Sequence, residues 1–325
     1  MVKLGRINHG GIMANYECNA ACRHCLYACS PDRAEGYITE EAADKIGGLL
    51  VKGGCRSVHI GGGEPFLDFD GLMTLLATLK KHGIKVEYVE TNACFAADEA
   101  QAASYLKQLL KVGADTLCIS LDPFHAEYVP YALPLKLAEI CRQNKFGYFL
   151  WQERFLHMLT GTAADRPHKR SDLEKSISPD YVYETARSYG LGYGGRALNI
   201  ELEYGEPKPL SDILSTKPCK NLASTNHFHV DLYGNFIPPG CTGIEIPLEI
   251  ALKGIDEAVY PVFNALYNGG PASLSELAKS KGFVPEEAYT SACAFCFFAR
   301  KWLSENTDFP ELNSAHYEAS LSYYT

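Results

Sequence analysis

The sequence predicts an α/β protein built on a parallel sheet, followed by a small cysteine-rich extension. From Gly11 to about Glu203, short apolar runs alternate with amphipathic stretches, which is the pattern of repeated βα units. Beyond Gly205 prolines interrupt any long element, and we therefore place a domain boundary there. The boundary divides the chain into residues 1–205 and 206–325. The interrupting prolines are Pro207, Pro209 and Pro218.

Capping residues set the limits of the predicted elements. Thr39 precedes two acidic residues, so that a helix begins there with its first turn suited to the helix dipole. Glycines at 83, 113 and 190 end later helices. The predicted helices cover residues 40–52, 68–82, 98–112, 134–145 and 179–189, and the predicted strands cover 11–16, 56–60, 85–91, 115–121, 146–151 and 197–203.

Composition indicates a soluble enzyme. The chain has 325 residues, 46% of them apolar, which suffices for a large core and excludes a small disulfide-stapled scaffold. Thirty basic residues against 39 acidic ones give a charge of −9, which makes nucleic acid and anionic membranes unfavourable partners. With neither a membrane-length apolar run nor an apolar signal core, we expect a cytoplasmic protein whose twelve cysteines are mostly reduced.

One segment interrupts the alternation. Residues 153–178 contain the polar, basic and turn-prone stretch 161–170, and a loop of this length is usually functional or disordered. Two interpretations are open: a lid or docking surface for an acidic substrate, and a solvated excursion.

The first chemical motif is a group of three cysteines directly after the first predicted strand. Cys18, Cys22 and Cys25 have the spacing C-x-x-x-C-x-x-C. Thiolates select iron-sulfur clusters, zinc or copper, and three of them leave one metal position open. The alternatives are packing cysteines, a zinc knuckle completed by His24, or half of a disulfide framework.

A glycine-rich loop ends the second predicted strand. Gly62, Gly63, Glu64 and Pro65 form it, and alone they are a weak signal, because the loop lacks the features of a P-loop or a dinucleotide fingerprint. Its position in the chain after the three-cysteine motif, however, makes the glycine loop a strong signal of a shared site.

Together the two motifs resemble the radical S-adenosylmethionine (SAM) superfamily. The resemblance implies a partial (β/α)6 TIM-like barrel in which the three cysteines hold a [4Fe-4S] cluster. It also implies that the amino and carboxylate groups of SAM chelate the fourth iron and that the Gly-Gly-Glu-Pro loop receives the SAM amino group. His24 would then lie near the adenine and is not counted as a metal ligand.

Further cofactor-binding candidates stand where predicted strands end, the usual place for catalytic residues in β/α barrels. The resemblance implies that Ser120 contacts the SAM ribose or carboxylate and that Arg196, in a Gly-Arg-Ala motif, pairs with the carboxylate. Arg154 is a rival for that pairing. Asn92 and Asp122 are candidates too, with turn formation as their alternative role.

A second set of cysteines lies in the extension. Cys219, Cys241, Cys293 and Cys296 flank a predicted hairpin with its turn at residues 234–235. A C-x-x-C pair can be redox-active, zinc-binding or structural, but four cysteines in this arrangement suggest a metal site. The set resembles the SPASM or twitch extension of radical SAM enzymes, which implies a single auxiliary [4Fe-4S] cluster. One of the four could instead donate a hydrogen atom to a substrate radical.

The remaining cysteines have other assignments. Cys118 and Cys141 are expected in the core. Cys29 and Cys94 lie in loops near the predicted site and are alternative catalytic hydrogen donors.

The resemblance implies a reaction class. Reductive cleavage of SAM gives a 5′-deoxyadenosyl radical that abstracts a substrate hydrogen, with electrons from an external donor such as flavodoxin or ferredoxin. Because enzymes with this extension commonly modify peptides or proteins, such a substrate is the first hypothesis. A small metabolite or cofactor precursor is the second, supported by the start of the first strand near Gly11, which leaves no leader-recognition domain before it. A non-enzymatic iron-sulfur protein is the third.

Overall fold

An eight-stranded, largely parallel sheet organises the protein. The structure, a computed structural model, describes residues 1–34, 36–192 and 194–322. The strands are β1 His9–Met13, β2 Ser57–Gly61, β3 Lys85–Thr91, β4 Thr116–Ser120, β5 Gly147–Trp151, β6 Lys208–Pro209, β7 Phe228–Val230, β8 Asn235–Ile237, β9 Ile246–Pro247 and β10 Ala288–Tyr289. The main sheet has the order β5-β4-β3-β2-β1-β7-β8-β9, and β10 pairs with β6 separately.

Helices follow the parallel strands as the βα pattern predicts. The helices are α1 Glu40–Gly53, α2 Phe69–Lys81, α3 Glu99–Val112, α4 Pro123–Ala126, α5 Ala132–Gln143, α6 Leu156–Leu159, α7 Arg170–Ser176, α8 Tyr181–Tyr189, α9 Ala197–Tyr204, α10 Leu210–Leu214, α11 Leu248–Lys253, α12 Pro261–Ser280, α13 Ala292–Asn306 and α14 Ser314–Leu321. The α/β class and the central parallel sheet of the prediction are confirmed.

The predicted caps explain where the helices begin and end. The Thr39 side chain accepts a hydrogen bond from the Ala42 amide at the start of α1. Gly113 adopts a left-handed conformation, φ +87°, and its amide bonds the last carbonyls of α3. The apolar faces of these helices pack on the sheet, where Ile12, Val58 and Leu117 are completely buried.

The predicted strand over residues 197–203 is wrong, because this segment forms α9. Its buried positions are Ala197, Leu198, Ile200 and Glu201, a helical spacing rather than a strand alternation. Alanine, leucine and glutamate also favour helix intrinsically. The sixth parallel strand is β7, from the extension, and it pairs with β1.

The irregular segment 153–178 contains the short helices α6 and α7. Arg170 at the start of α7 forms ion pairs with Glu174 and Glu203, at 2.6 and 2.5 Å. This part of the basic stretch is therefore tied to α9. Among the described residues, no helix is both long and apolar enough to cross a bilayer.

The extension is joined to the sheet through β7. Gly10 and Gly11 of β1 pair with Phe228 and His229. The Phe228 ring is completely buried, and a Cβ at Gly10 would overlap the Phe228 carbonyl oxygen. The division of the chain at residue 205 stays a prediction.

Truncation of Phe228 tests this junction. Phe228→Ala would leave a cavity between β7 and β1, and we expect a loss of stability of about 3–5 kcal/mol, seen as a lower urea midpoint. Tyr233→Ala, in the exposed turn after β7, is the control and should change stability by less than about 0.5 kcal/mol. Equal midpoints for Phe228→Ala and wild type would contradict the packing described.

Candidate active site

The three-cysteine loop follows β1 at the carboxyl edge of the sheet. Cys18 and Cys22 are buried and Cys25 is half-buried. The Cys18 sulfur accepts from the Ala20 amide at 3.4 Å, and the Cys25 sulfur accepts from the Cys29 amide at 3.4 Å. Such N–H groups stabilise thiolates, the form in which cysteine binds metals.

Arg196 fixes the cysteine loop through hydrogen bonds to its backbone. Its Nε donates to the Cys22 carbonyl at 3.0 Å, and its Nη2 donates to the Cys29 carbonyl at 2.5 Å. The side chain is buried, and its backbone amide bonds the Cys25 carbonyl. The guanidinium therefore bridges carbonyls at both ends of the cysteine loop, and its pairing with a SAM carboxylate stays a prediction.

The glycine loop is hydrogen-bonded to the chain segment that leads into the cysteine motif. The Gly63 amide donates to the Asn15 carbonyl and the Glu64 amide to the Glu17 carbonyl, each at 2.9 Å. The Asn15 side chain returns a bond to the Glu64 carbonyl at 3.2 Å. The two motifs are thus joined directly, residue against residue.

Only glycine permits this approach. Gly62 has φ +134°, and a Cβ there would lie 2.6 Å from the Asn15 oxygen. A Cβ at Gly63 would overlap the Glu17 carbonyl. The glycines therefore bring the loop against the backbone before Cys18, with their own backbone on the cavity wall.

Glu64 faces the protein rather than the cavity. Its carboxylate accepts bonds from the Thr91 hydroxyl at 2.8 Å and from the Asn92 and Phe66 amides at 2.7 and 3.2 Å. Burial raises the pKa of Glu64 to about 7 despite these donors. The side chain anchors the glycine loop to the end of β3.

A buried histidine–aspartate group lies beside the cysteine loop, at the end of β4. The Asp122 carboxylate lies 2.7 Å from His125 Nδ1 and 3.9 Å from His24 Nε2. Burial acts to raise the pKa of Asp122, but the two histidines outweigh it and hold the pKa at about 2. Asp122 also accepts the His125 amide and so caps the start of α4.

A cavity of about 450 Å³ brings these parts together, a volume in the range of small-ligand sites. All three cysteines of the first motif and both glycines line it. The predicted residues Asn92, Ser120 and Cys29 line it as well, with Cys118, for which the sequence predicts a place in the core.

Other candidates lie elsewhere. Arg154 is exposed, donates to the Ser188 carbonyl at 2.6 Å and is not among the described residues that line the cavity. Its predicted pairing with SAM thus has no support from its position. Pro65 and Cys94 are likewise not among the described residues that line the cavity.

Sequence reasoning missed an aromatic wall and a histidine layer in the cavity. Tyr88, Phe149, Trp151 and Tyr189 line it, and Phe149 and Trp151 are 37% and 47% exposed. Large exposed aromatics on a cavity rim indicate a ligand surface. The sequence pattern of β5 predicted only a strand, because it does not show which face of the strand is left uncovered in the folded protein.

The second cysteine set also comes together. Cys219 begins a short 3-10 turn, Cys241 follows β8, and Cys293 and Cys296 lie in the first turns of α13. Burial is the main cause that raises the pKa values of Cys219, Cys293 and Cys296, and other sulfurs of the set raise them further, so these side chains lie near one another. Gly240, next to Cys241, lines the cavity, so this set adjoins the first site.

Arg300 is buried beside these cysteines. It is 5% exposed, and it donates to the Cys296 carbonyl at 3.1 Å and to the Thr242 carbonyl at 2.9 Å. Among the described residues it forms no ion pair with a carboxylate. Burial acts to lower the pKa of Arg300, and negative charge on Cys241, Tyr317, Cys296 or Cys293 acts to raise it. A buried cation needs such a counter-charge.

Comparison with known sequences identifies the domain in the first half of the chain. Residues 15–150 match the sequence model of the Radical SAM superfamily. The chain carries a radical SAM domain. The resemblance expected from the two motifs is therefore confirmed, and the cofactors of such a domain are a [4Fe-4S] cluster and SAM. The thiol set, its N–H donors and the adjoining cavity fit both.

Individual relatives are distant. A stretch of the chain is similar to the "putative peptide biosynthesis protein YydG" of Bacillus subtilis (strain 168), 24% identical over 112 residues. That match covers 34% of this chain and 35% of the relative, about a third of its length.

Solved structures with a similar arrangement are also distant. One is Streptococcus suis SuiB bound to S-adenosylmethionine, with 16% identity over 84% of this chain and 69% of that chain, TM-score 0.39. Another is anSMEcpe with bound AdoMet and Cp18Cys peptide, with 15% identity over 96% and 94%, TM-score 0.42. Similarity at this level transfers no function to this chain.

Substitution of Gly63 tests the junction of the two motifs. In Gly63→Ala the new Cβ overlaps the Glu17 carbonyl, and we expect a stability loss of about 1–3 kcal/mol together with weaker iron binding at the first cysteine motif. Gly5→Ala is the matched control, because nothing lies within 4 Å of a Cβ there. Iron content and urea midpoints measure both effects, and a Gly63→Ala protein with wild-type values would disprove the close approach.

Proposed function

We propose that the protein is a radical SAM enzyme that modifies a peptide or protein substrate by hydrogen-atom abstraction. The direct hydrogen bonding between the glycine loop and the segment before Cys18 carries this proposal. It would put a thiol-bound cluster and a SAM amino group at the same wall of one cavity. An electron carrier without SAM chemistry would have no use for the glycine loop.

The chain's residues take separate roles in the proposal. Cys18, Cys22 and Cys25 would hold the cluster, and the backbone around Gly62 and Gly63 would receive the SAM amino group. Asn92 and Ser120 line the cavity beside them, while Arg196 positions the cysteine loop. A place on the cavity wall also supports Cys29 over Cys94 as a hydrogen donor.

When bound, the cluster and SAM supply a one-electron reductive cleavage that produces a radical able to remove hydrogen from an unactivated C–H bond. The chain supplies orientation and exclusion of solvent. Buried Arg196 and Glu64 fix the two loops, and the rings of Tyr88, Phe149 and Trp151 also line the cavity.

The exposed rim of the cavity supports entry of a peptide side chain. A volume of about 450 Å³ suits one small ligand, so that SAM would take up most of it. A substrate would then enter past the exposed rings of Phe149 and Trp151, as a peptide side chain can. The Bacillus subtilis relative, a putative peptide biosynthesis protein, also supports a peptide substrate.

A small metabolite is the second candidate. Neighbouring genes separate the two: a short precursor-peptide gene favours peptide modification, and a biosynthetic operon favours the metabolite. An external electron donor such as flavodoxin or ferredoxin belongs to both proposals.

The extension would hold one auxiliary [4Fe-4S] cluster through Cys219, Cys241, Cys293 and Cys296. Buried Arg300 supports this, because thiolates or a thiolate-bound cluster supply the negative charge that it needs.

Loss of the first cysteine motif tests the reaction. After anaerobic reconstitution, wild type should hold about eight irons and form 5′-deoxyadenosine from SAM with dithionite, whereas Cys18/Cys22/Cys25→Ala should hold about four irons and form none. A fully loaded wild type that never cleaves SAM, with or without peptide, would refute the enzyme proposal.

Loss of one later cysteine tests the auxiliary cluster separately. Cys296→Ala should lower iron from about eight to about four per chain while the first cluster stays bound. Cys141→Ala removes a completely buried core thiol and should keep the wild-type iron content. An unchanged iron content in Cys296→Ala would make the later cysteines structural.

A further inference from the structure

Three neighbouring strands form a histidine layer inside the sheet. His59 of β2 and His229 of β7 both stand in register with Gly11 of the central strand β1. A Cβ at Gly11 would overlap His59 Nε2 and lie 2.8 Å from His229 Nε2. The absent side chain of Gly11 thus makes room for both rings, which meet above it.

A third ring completes the layer. His227 lies directly before β7, and its ring centroid is 5.0 Å from that of His229. His59 Nε2 and His229 Nε2 are 3.1 Å apart, and one ring nitrogen from each of the three histidines lies within 4.8 Å of the others. The ring centroids are separated by 5.0–5.1 Å.

The surroundings keep these imidazoles neutral, which is the form that binds metals. Burial lowers the pKa of His229 to about 3, and it also lowers the pKa values of His59 and His227. His59 is 1% exposed, its ring stacks on Tyr88, and its Nδ1 is buried without a hydrogen-bond partner in the described part of the chain.

We propose that His59, His227 and His229 bind one divalent transition-metal ion, zinc being the best fit. Three imidazoles suit zinc, copper, iron or nickel, and nitrogens about 2.0–2.1 Å from one ion stand about 3 Å apart, as His59 and His229 do. His227 and His229 line the cavity, so the open position of the ion faces the space that a substrate would enter. Glu90 Oε1, 3.7 Å from His59 Nε2, is the nearest carboxylate and a candidate fourth ligand.

A bound ion would replace the direct contact between the two rings. Without an ion, one of the two close nitrogens of His59 and His229 carries a hydrogen and donates it to the lone pair of the other, at 3.1 Å, whereas an ion accepts a lone pair from each nitrogen. Binding then fixes the His59 proton on Nδ1, an unpaired N–H whose cost is small beside three metal–nitrogen bonds. The position of this layer differs from both cysteine sets, and the inference does not depend on their ligands.

Zinc content and the zinc coordination shell test this site. Holoprotein is reconstituted so that clusters fill the cysteine sites, equilibrated with zinc chloride and freed of loose metal. Wild type should retain one zinc per chain, and zinc K-edge absorption should show nitrogen or oxygen neighbours at about 2.0 Å with an imidazole pattern. Sulfur neighbours at about 2.3 Å would mean binding by thiols and would overturn the proposal.

Matched variants make the test specific. His227→Gln should weaken zinc binding more than about tenfold with unchanged iron content, and His59→Gln should do the same. His227 is exposed, so its variant decides the question even where His59→Gln fails to fold. His82→Gln, which removes a surface histidine paired with Asp44, should bind zinc like wild type. Equal zinc affinity in wild type and His227→Gln would refute the zinc site and leave the proposed SAM cleavage standing, because deoxyadenosine formation is measured separately.

Discussion

The pair of backbone hydrogen bonds between residues 15–17 and residues 63–64 is the constraint on which the site depends. The bonds require that Gly63 approach Glu17 without a side chain, and they bring the glycine loop against the segment that enters the cysteine motif. Neither motif alone would define a site, because one supplies thiols and the other supplies backbone. Glu64 fixes the glycine loop and Arg196 fixes the cysteine loop, each through bonds to backbone groups.

The second constraint is the parallel addition of β7 to β1. It places residues of the extension on the same sheet as the radical SAM domain and carries His227 and His229 into the cavity. The hairpin that follows leads to Cys241, and Thr242 contacts both Arg300 and the position of Gly194. One short pairing therefore connects the cavity, the histidine layer and the later cysteines.

The local pattern of the sequence predicts most of the barrel and the nearest parts of the site. Caps such as Thr39 and Gly113 bond to the helix turn next to them. The three cysteines of the first motif can be recognised from the sequence because they are close together in the chain. A short apolar run such as residues 197–203 suits both strand and helix, and packing against α8, α13 and α14 adds to helix propensity in favour of helix. The histidine layer escapes prediction since Gly11, His59 and His229 meet only through strand register. The burial of Arg300 could not be predicted from the sequence either, because it depends on how α13 packs.

Magnetic resonance of the reduced first cluster tests the central claim most directly, that cysteine loop and glycine loop form one SAM site. SAM labelled with ¹⁵N at its amino group is added to the singly reduced, reconstituted enzyme. The Cys296→Ala variant is used to remove the signal of a cluster bound to the later cysteines. The account predicts a nitrogen hyperfine coupling to the cluster that Gly63→Ala weakens and Gly5→Ala retains. A fully loaded, reduced cluster that shows no coupling to the labelled amino group would contradict it.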